Sequence, residues 1–252
     1  MSNQERARES LPTIVLVHGM WHGGWAWESV ATLLEANGYP CVRVTLPGKD
    51  RAPGDPTFRG HCDHLVQVLA DMPDDVVLVG HSYSGAVLGE AGGAPNVRAM
   101  VFVSAFALEP GESVASVNDA KAGSQAGVND IRRVGDYLVI DPEIARDAFY
   151  HDCSPTDAAN AVERLTPEHV DARTAVITEA AWRTVPSHFV VCTLDRACTP
   201  EVQRMMAARL GSSSDLESSH SPMLSMPEAV AHTIIDFESR HRVSAGGMES
   251  VS

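Results

Sequence analysis

The run Val76-Val77-Leu78-Val79-Gly80-His81-Ser82-Tyr83-Ser84-Gly85 places a serine among small residues at the end of an apolar strand. A helix-forming stretch, Ala86-Val87-Leu88, follows at once. A sharp strand–turn–helix of this kind exposes a serine hydroxyl at its tip, as an activated nucleophile requires. Ser84 stands where Gly-x-Ser-x-Gly has its second glycine, with Gly85 directly after it. A phosphate-binding loop is excluded, because Ala86-Val87 occupies the place of the required Lys and Ser/Thr. The plainer reading is an ordinary turn with Ser82 as helix N-cap.

A serine hydroxyl is a weak nucleophile at neutral pH and needs a base, itself oriented by a carboxylate. Downstream of Ser82, Asp195 lies just past the apolar run His188–Thr193. His220 lies in the loop Leu216-Glu217-Ser218-Ser219-His220-Ser221-Pro222. Both are loop positions at carboxyl ends of strands, where open α/β sheets bind ligands. Asp215 and Glu217 are fallback acids, but they fall within or beside a strand rather than at its tip. Taken singly, a loop Asp is a turn former and a loop His faces solvent; the order Ser, acid, His makes the conjunction informative. A second glycine-rich loop, Val17-His18-Gly19-Met20-Trp21-His22-Gly23-Gly24-Trp25-Ala26-Trp27, follows the first strand. Backbone N–H groups of Met20 and Tyr83 are the candidate donors to a developing oxyanion. The glycines also let the loop turn, and Trp25 and Trp27 are packing residues that open a helix. His61-Cys62-Asp63-His64 has metal-like composition, but Cys62 falls on an apolar helix face with Phe58 and Leu65. No metal and no organic cofactor is expected.

The elements that must position these residues alternate between short apolar runs and amphipathic segments, an α/β pattern with a mainly parallel sheet. Strands are expected at Thr13–Val17, Pro40–Thr45, Val76–Val79, Met100–Val103 and His188–Thr193. Val30, Leu33 and Leu34 share one helical face, as do Phe58, Cys62, Leu65 and Leu69. Between Leu108 and Val185 the pattern changes to a Gly- and Ser-rich piece followed by helices, with Ser154-Pro155 as one helix start. Only Tyr137–Ile140 there suggests a strand. The expected division is a core over 11–107 and 186–240, a helical cap over 108–185, and flexible termini at 1–10 and 241–252. Helices are expected from Pro200, with Val202, Met205, Met206 and Leu210 inward, and from Pro227, with Val230, Ile234 and Phe237 inward.

The 252 residues, 44% hydrophobic, suffice for one large core without disulfides. A formal net charge of −14 with no basic cluster argues against binding nucleic acid or an anionic membrane surface. Five cysteines without paired spacing suit a reducing compartment, and a polar N-terminus gives no signal-peptide pattern, so a cytoplasmic location is expected.

These segments together resemble an α/β-hydrolase, most of all the plant methylesterase and hydroxynitrile lyase group and its bacterial esterase relatives. The resemblance runs through Leu16–Trp27, Leu78–Ser82, Val101-Phe102-Val103-Ser104-Ala105-Phe106, Val191–Arg196 and His220-Ser221-Pro222-Met223-Leu224. It implies a Ser82–His220–Asp195 triad and hydrolysis of a carboxylic ester through an acyl-enzyme. The lyases of the group carry Lys after the catalytic His; Ser221 stands there and argues against cyanohydrin cleavage. Epoxide hydrolases and haloalkane dehalogenases of this fold need an Asp nucleophile. The expected substrate is a small to medium hydrophobic ester in a pocket lined by Trp21, Phe106, Trp182 and Met223. A homodimer is expected on the resemblance alone. Natural-product tailoring (lactone opening, transacylation or a lyase step) and a ligand-binding role on the same scaffold are the alternatives.

Overall fold

The structure is a computed structural model and describes residues 11–121 and 131–246. The termini at 1–10 and 247–252, and part of the Gly- and Ser-rich piece, lie outside the described residues. The chain runs β1 (Thr13–Val17), α1 (Glu28–Ala36), β2 (Cys41–Val44), α2 (Phe58–Ala70), β3 (Val76–His81), α3 (Ser84–Ala91) and β4 (Val97–Val103). After a long excursion it returns as β8 (Ser187–Cys192), α8 (Pro200–Leu210), β9 (Ser213–Leu216), α9 (Pro222–Ser225) and α10 (Pro227–Gly246). The excursion holds α4 (Val114–Lys121), β5 (Arg132–Val134), β6 (Tyr137–Val139), α5 (Pro142–Tyr150), α6 (Pro155–Glu163), β7 (Glu168–His169) and α7 (Asp171–Thr174).

Six strands form one parallel sheet in the order β2-β1-β3-β4-β8-β9. Every residue of β3 and β8 is buried, as continuous apolar strands covered on both faces must be. Helices flank the sheet, with α1 packed on α10 and α2 on α3. The apolar faces read from spacing turn inward: Val30 and Leu34 in α1 are buried with Leu33 partly so, and Phe58, Cys62, Leu65 and Leu69 in α2 are buried. Strand order reverses between β1 and β3, so the loops leaving their carboxyl ends diverge and open a crevice. Val17 of β1 is in register with Gly80 of β3, which brings the His18–Trp21 loop beside Ser82.

The excursion is not wholly helical. β5, β6 and β7 form a three-stranded antiparallel sheet. Strands this short cannot display a period-two pattern, and β5 is exposed throughout. The usable signal is the two-residue turn Gly135-Asp136, with Gly135 at φ +61°, between Val134 and Tyr137. Ser154 does cap α6, its side chain accepting from Asp157 N, with Pro155 in the first turn. Helix α10 runs six residues past the expected boundary at 240. His241 helps extend it, its Nδ1 donating to Phe237 O at 2.8 Å while the two rings lie 4.2 Å apart. Among the described residues, no helix is long and apolar enough to cross a membrane.

Candidate active site

Ser82 follows β3 directly and adopts φ +54°, a left-handed conformation that costs a side-chain-bearing residue about 1–2 kcal/mol. The surroundings hold it there. Its N–H donates to Val103 O at 3.2 Å, and its carbonyl accepts from Gly85 N at 3.1 Å and Phe106 N at 3.0 Å. A Cβ on Gly85 would stand 2.7 Å from Phe106 N, so the small residue demanded by the turn is Gly85. Ser84 is tolerated because its Oγ lies 2.9 Å from both Val17 O and His81 O, donating to either and tying β1 to β3.

Asp195 lies after β8 and His220 after β9, and both are buried. His220 Nδ1 donates to Asp195 Oδ2 at 2.7 Å, which leaves Nε2 as the basic ring nitrogen. Asp195 is held by further donors. Oδ1 accepts from Ala197 N at 2.7 Å and Cys198 N at 2.9 Å, while Oδ2 accepts from Gln203 Nε2 at 2.9 Å and from Ser104 Oγ. Ser104 Oγ also sits 3.2 Å from His220 Nδ1, and Ser104 itself has φ +44°. His81, immediately before Ser82, donates from Nε2 to His220 O at 2.8 Å, with the two rings 4.6 Å apart. The alternative acids lie elsewhere: Asp215 pairs with Arg204 at 2.8 Å on the surface, and Glu217 is exposed.

The loop after β1 reaches the serine so closely that a Cβ on Gly19 would lie 3.0 Å from Ser82 Cβ. His18 braces that loop. Its Nε2 accepts from Leu46 N at 3.1 Å, so Nδ1 carries the proton and donates to Gly19 O at 2.9 Å. Burial lowers His18 to about 3 and keeps it neutral. Among the described residues, the N–H groups of Met20 and Tyr83 have no protein acceptor. The Tyr83 hydroxyl points elsewhere, donating to His61 Nδ1 at 2.7 Å, while His61 Nε2 donates to Pro47 O at 3.1 Å. Both nitrogens of His61 are thereby engaged in packing α2, and burial lowers it to about 4.

Of the expected pocket residues, Trp21 stacks on Phe149 at 5.7 Å, and Phe149 lies 5.4 Å from the His220 ring. Phe106 is buried beside the elbow, and Met223 is buried in α9, just after His220. Trp182 sits where the excursion rejoins the core, its indole donating to Leu108 O at 2.9 Å beside Gly89 of α3.

The alpha/beta hydrolase family model matches residues 14–233. This chain belongs to the α/β-hydrolase family. Among its relatives, this hydrolase is 28% identical over 239 residues to the alpha/beta hydrolase nvfD of Aspergillus novofumigatus, covering 88% of this chain and 95% of that one. It is 29% identical to Methylesterase 17 of Arabidopsis thaliana, covering 89% and 92%. Among solved structures, polyneuridine aldehyde esterase superposes with a TM-score of 0.80 at 25% identity, covering 90% of this chain and 98% of that one.

Ser104, Gln203 and Phe149 escaped the sequence reading. Gln203 left a trace, as a polar residue beside Val202 on the buried face of α8. Ser104 stands in the segment Val101–Phe106, but its reach to Asp195, 91 residues away, was not legible there, and neither was the approach of Phe149 to the His220 ring.

Proposed function

We propose that this α/β-hydrolase cleaves a carboxylic ester of small to medium hydrophobic character, with Ser82 as nucleophile, His220 as base and Asp195 as its orienting acid. The observation that carries the reading is Ser82 in a left-handed elbow directly after His81, whose Nε2 donates to the carbonyl of His220, itself paired with the buried Asp195. Ser82 Oγ attacks the ester carbonyl as His220 Nε2 takes its proton. The N–H groups of Met20 and Tyr83 hold the oxyanion. As the tetrahedral intermediate collapses, the alcohol leaves with the proton from His220 and an acyl-enzyme remains. Water, deprotonated by His220, then releases the acid and regenerates Ser82. The esterase names of two relatives support the same reading. Trp21, Phe106, Trp182 and Met223 are the apolar residues assigned to the substrate pocket.

Residues 11–107 and 186–240 act as the catalytic core and 108–185 as the cap. The five free thiols fit a reducing, cytoplasmic setting.

Initial rates on short-chain p-nitrophenyl esters test the proposal. Turnover that vanishes in Ser82→Ala is the expected result. Equal turnover in both proteins, or none in the wild type, overturns it.

A further inference from the structure

We infer that Tyr150 and Glu168, both from the excursion between β4 and β8, are positioning residues that hold the Met20–Trp21 peptide, and with it the Met20 N–H, in register with Ser82. This rests on the esterase reading above. That single peptide group is gripped at both ends. At its carbonyl, Met20 O accepts from His22 Nδ1 at 2.7 Å. The other ring nitrogen, His22 Nε2, accepts from Tyr150 Oη at 2.6 Å. A carbonyl can only accept, so the ring proton sits on Nδ1, and the phenol donates to the unprotonated Nε2 and holds the ring aimed at Met20 O. At the amide end, Trp21 N donates to Glu168 Oε2 at 3.0 Å, and the same oxygen pairs with Lys49 Nζ at 3.0 Å.

Trp21 needs this grip. Its φ of +62° is a left-handed conformation that an aromatic residue does not keep unaided. Its remaining polar groups are also bound by the excursion, the carbonyl by Thr166 N at 2.9 Å and the indole by Leu138 O at 3.1 Å. An oxyanion donor acts through preorganisation, so a fixed peptide plane next to Met20 N–H bears directly on the transition state. Neither Tyr150 nor Glu168 has to touch the substrate for this role.

Tyr150→Phe removes only the donor to His22. Two double variants, Lys49→Met/Glu168→Gln and Lys49→Met/Glu168→Met, abolish the ion pair alike and differ in whether Trp21 N–H keeps an acceptor. For each, amide hydrogen exchange over residues 18–24, kcat and KM on p-nitrophenyl acetate, and inhibition by a trifluoromethyl ketone would be measured. For Tyr150→Phe, exchange quickens about tenfold and kcat falls about tenfold, a fraction of the loss expected for deleting an oxyanion donor. KM stays within about twofold, and the ketone, which binds as an oxyanion, weakens in step with kcat/KM. The double variant with Glu168→Met shows the same losses relative to the one with Glu168→Gln. Unchanged exchange, or an effect on KM alone, overturns the inference. A wild type without ester turnover sinks the esterase reading instead, and exchange then decides the clamp: faster supports it, unchanged refutes it.

Discussion

Replacing Lys49 by Met should destabilise the fold strongly, and less so in acid. The ammonium and the Glu168 carboxylate are buried at 2% and 1% side-chain exposure, 3.0 Å apart, and Lys49 Nζ also donates to Pro167 O. Burial holds the Glu168 carboxyl above its ordinary value and the Lys49 amine below its own. Removing the cation leaves an uncompensated buried carboxylate, a change that costs about 3–5 kcal/mol. In a domain of this size that lowers Tm by roughly 10 °C. The sign with pH follows from linkage. In the variant the folded carboxyl is raised further, so the folded protein takes up a proton that the unfolded chain, with an ordinary value of about 4.3, does not. The stability deficit relative to wild type is therefore full at pH 8 and shrinks as pH falls through the folded value. Urea unfolding of both proteins at pH 8 and pH 6 provides the assay, and taking the difference at each pH cancels groups common to both. A deficit below about 1 kcal/mol at pH 8 would refute the claim of an uncompensated buried charge; an equal deficit at both pH values would refute the titration of Glu168.

Ser104→Ala should lower kcat roughly tenfold, since Asp195 loses one charge-assisted bond, worth about 1.5–3 kcal/mol of stability, and is held less firmly although four donors remain; steady-state rates measured well below the variant's Tm check this, and wild-type kcat would contradict it. Gly85→Ala forces a Cβ to 2.7 Å from Phe106 N and 2.9 Å from Phe106 O, so a loss of about 1–3 kcal/mol is expected by denaturant titration. Ser84→Gly should cost about 1–2 kcal/mol through the lost bond to Val17 O or His81 O, and a neutral result would show that the serine does not tie the two strands. His18, His22 and His61 are lowered by burial to about 3, 4 and 4, so each takes a proton only on unfolding. Stability should fall by about 1.4 kcal/mol per pH unit for each of them as pH drops below about 6.5, and a flat profile between pH 7 and 5 would rule this out.

What the sequence determined by itself was local. Short β-branched apolar runs such as Val76–Val79, bounded by turn residues, suit strands covered on both faces, and Gly80 and Gly85 allow a tight turn from strand to helix. Those constraints act within a few residues, so the parallel sheet and the candidacy of Ser82, Asp195 and His220 were legible from composition and order. The short strands of the excursion were not, because two or three residues carry no periodicity, although Gly135-Asp136 marked their turn. Tertiary structure alone decided which residues brace the site. Ser104 reaches Asp195 across 91 positions, Tyr150 reaches His22 across 128, and Glu168 reaches Trp21 across 147. Each is an ordinary polar residue in its own neighbourhood. Its role arises only when a buried partner must be satisfied: the pairing of β4 with β8 brings Ser104 to Asp195, and the packing of the excursion against the His18–Trp21 loop brings Tyr150 and Glu168 within hydrogen-bond reach of theirs.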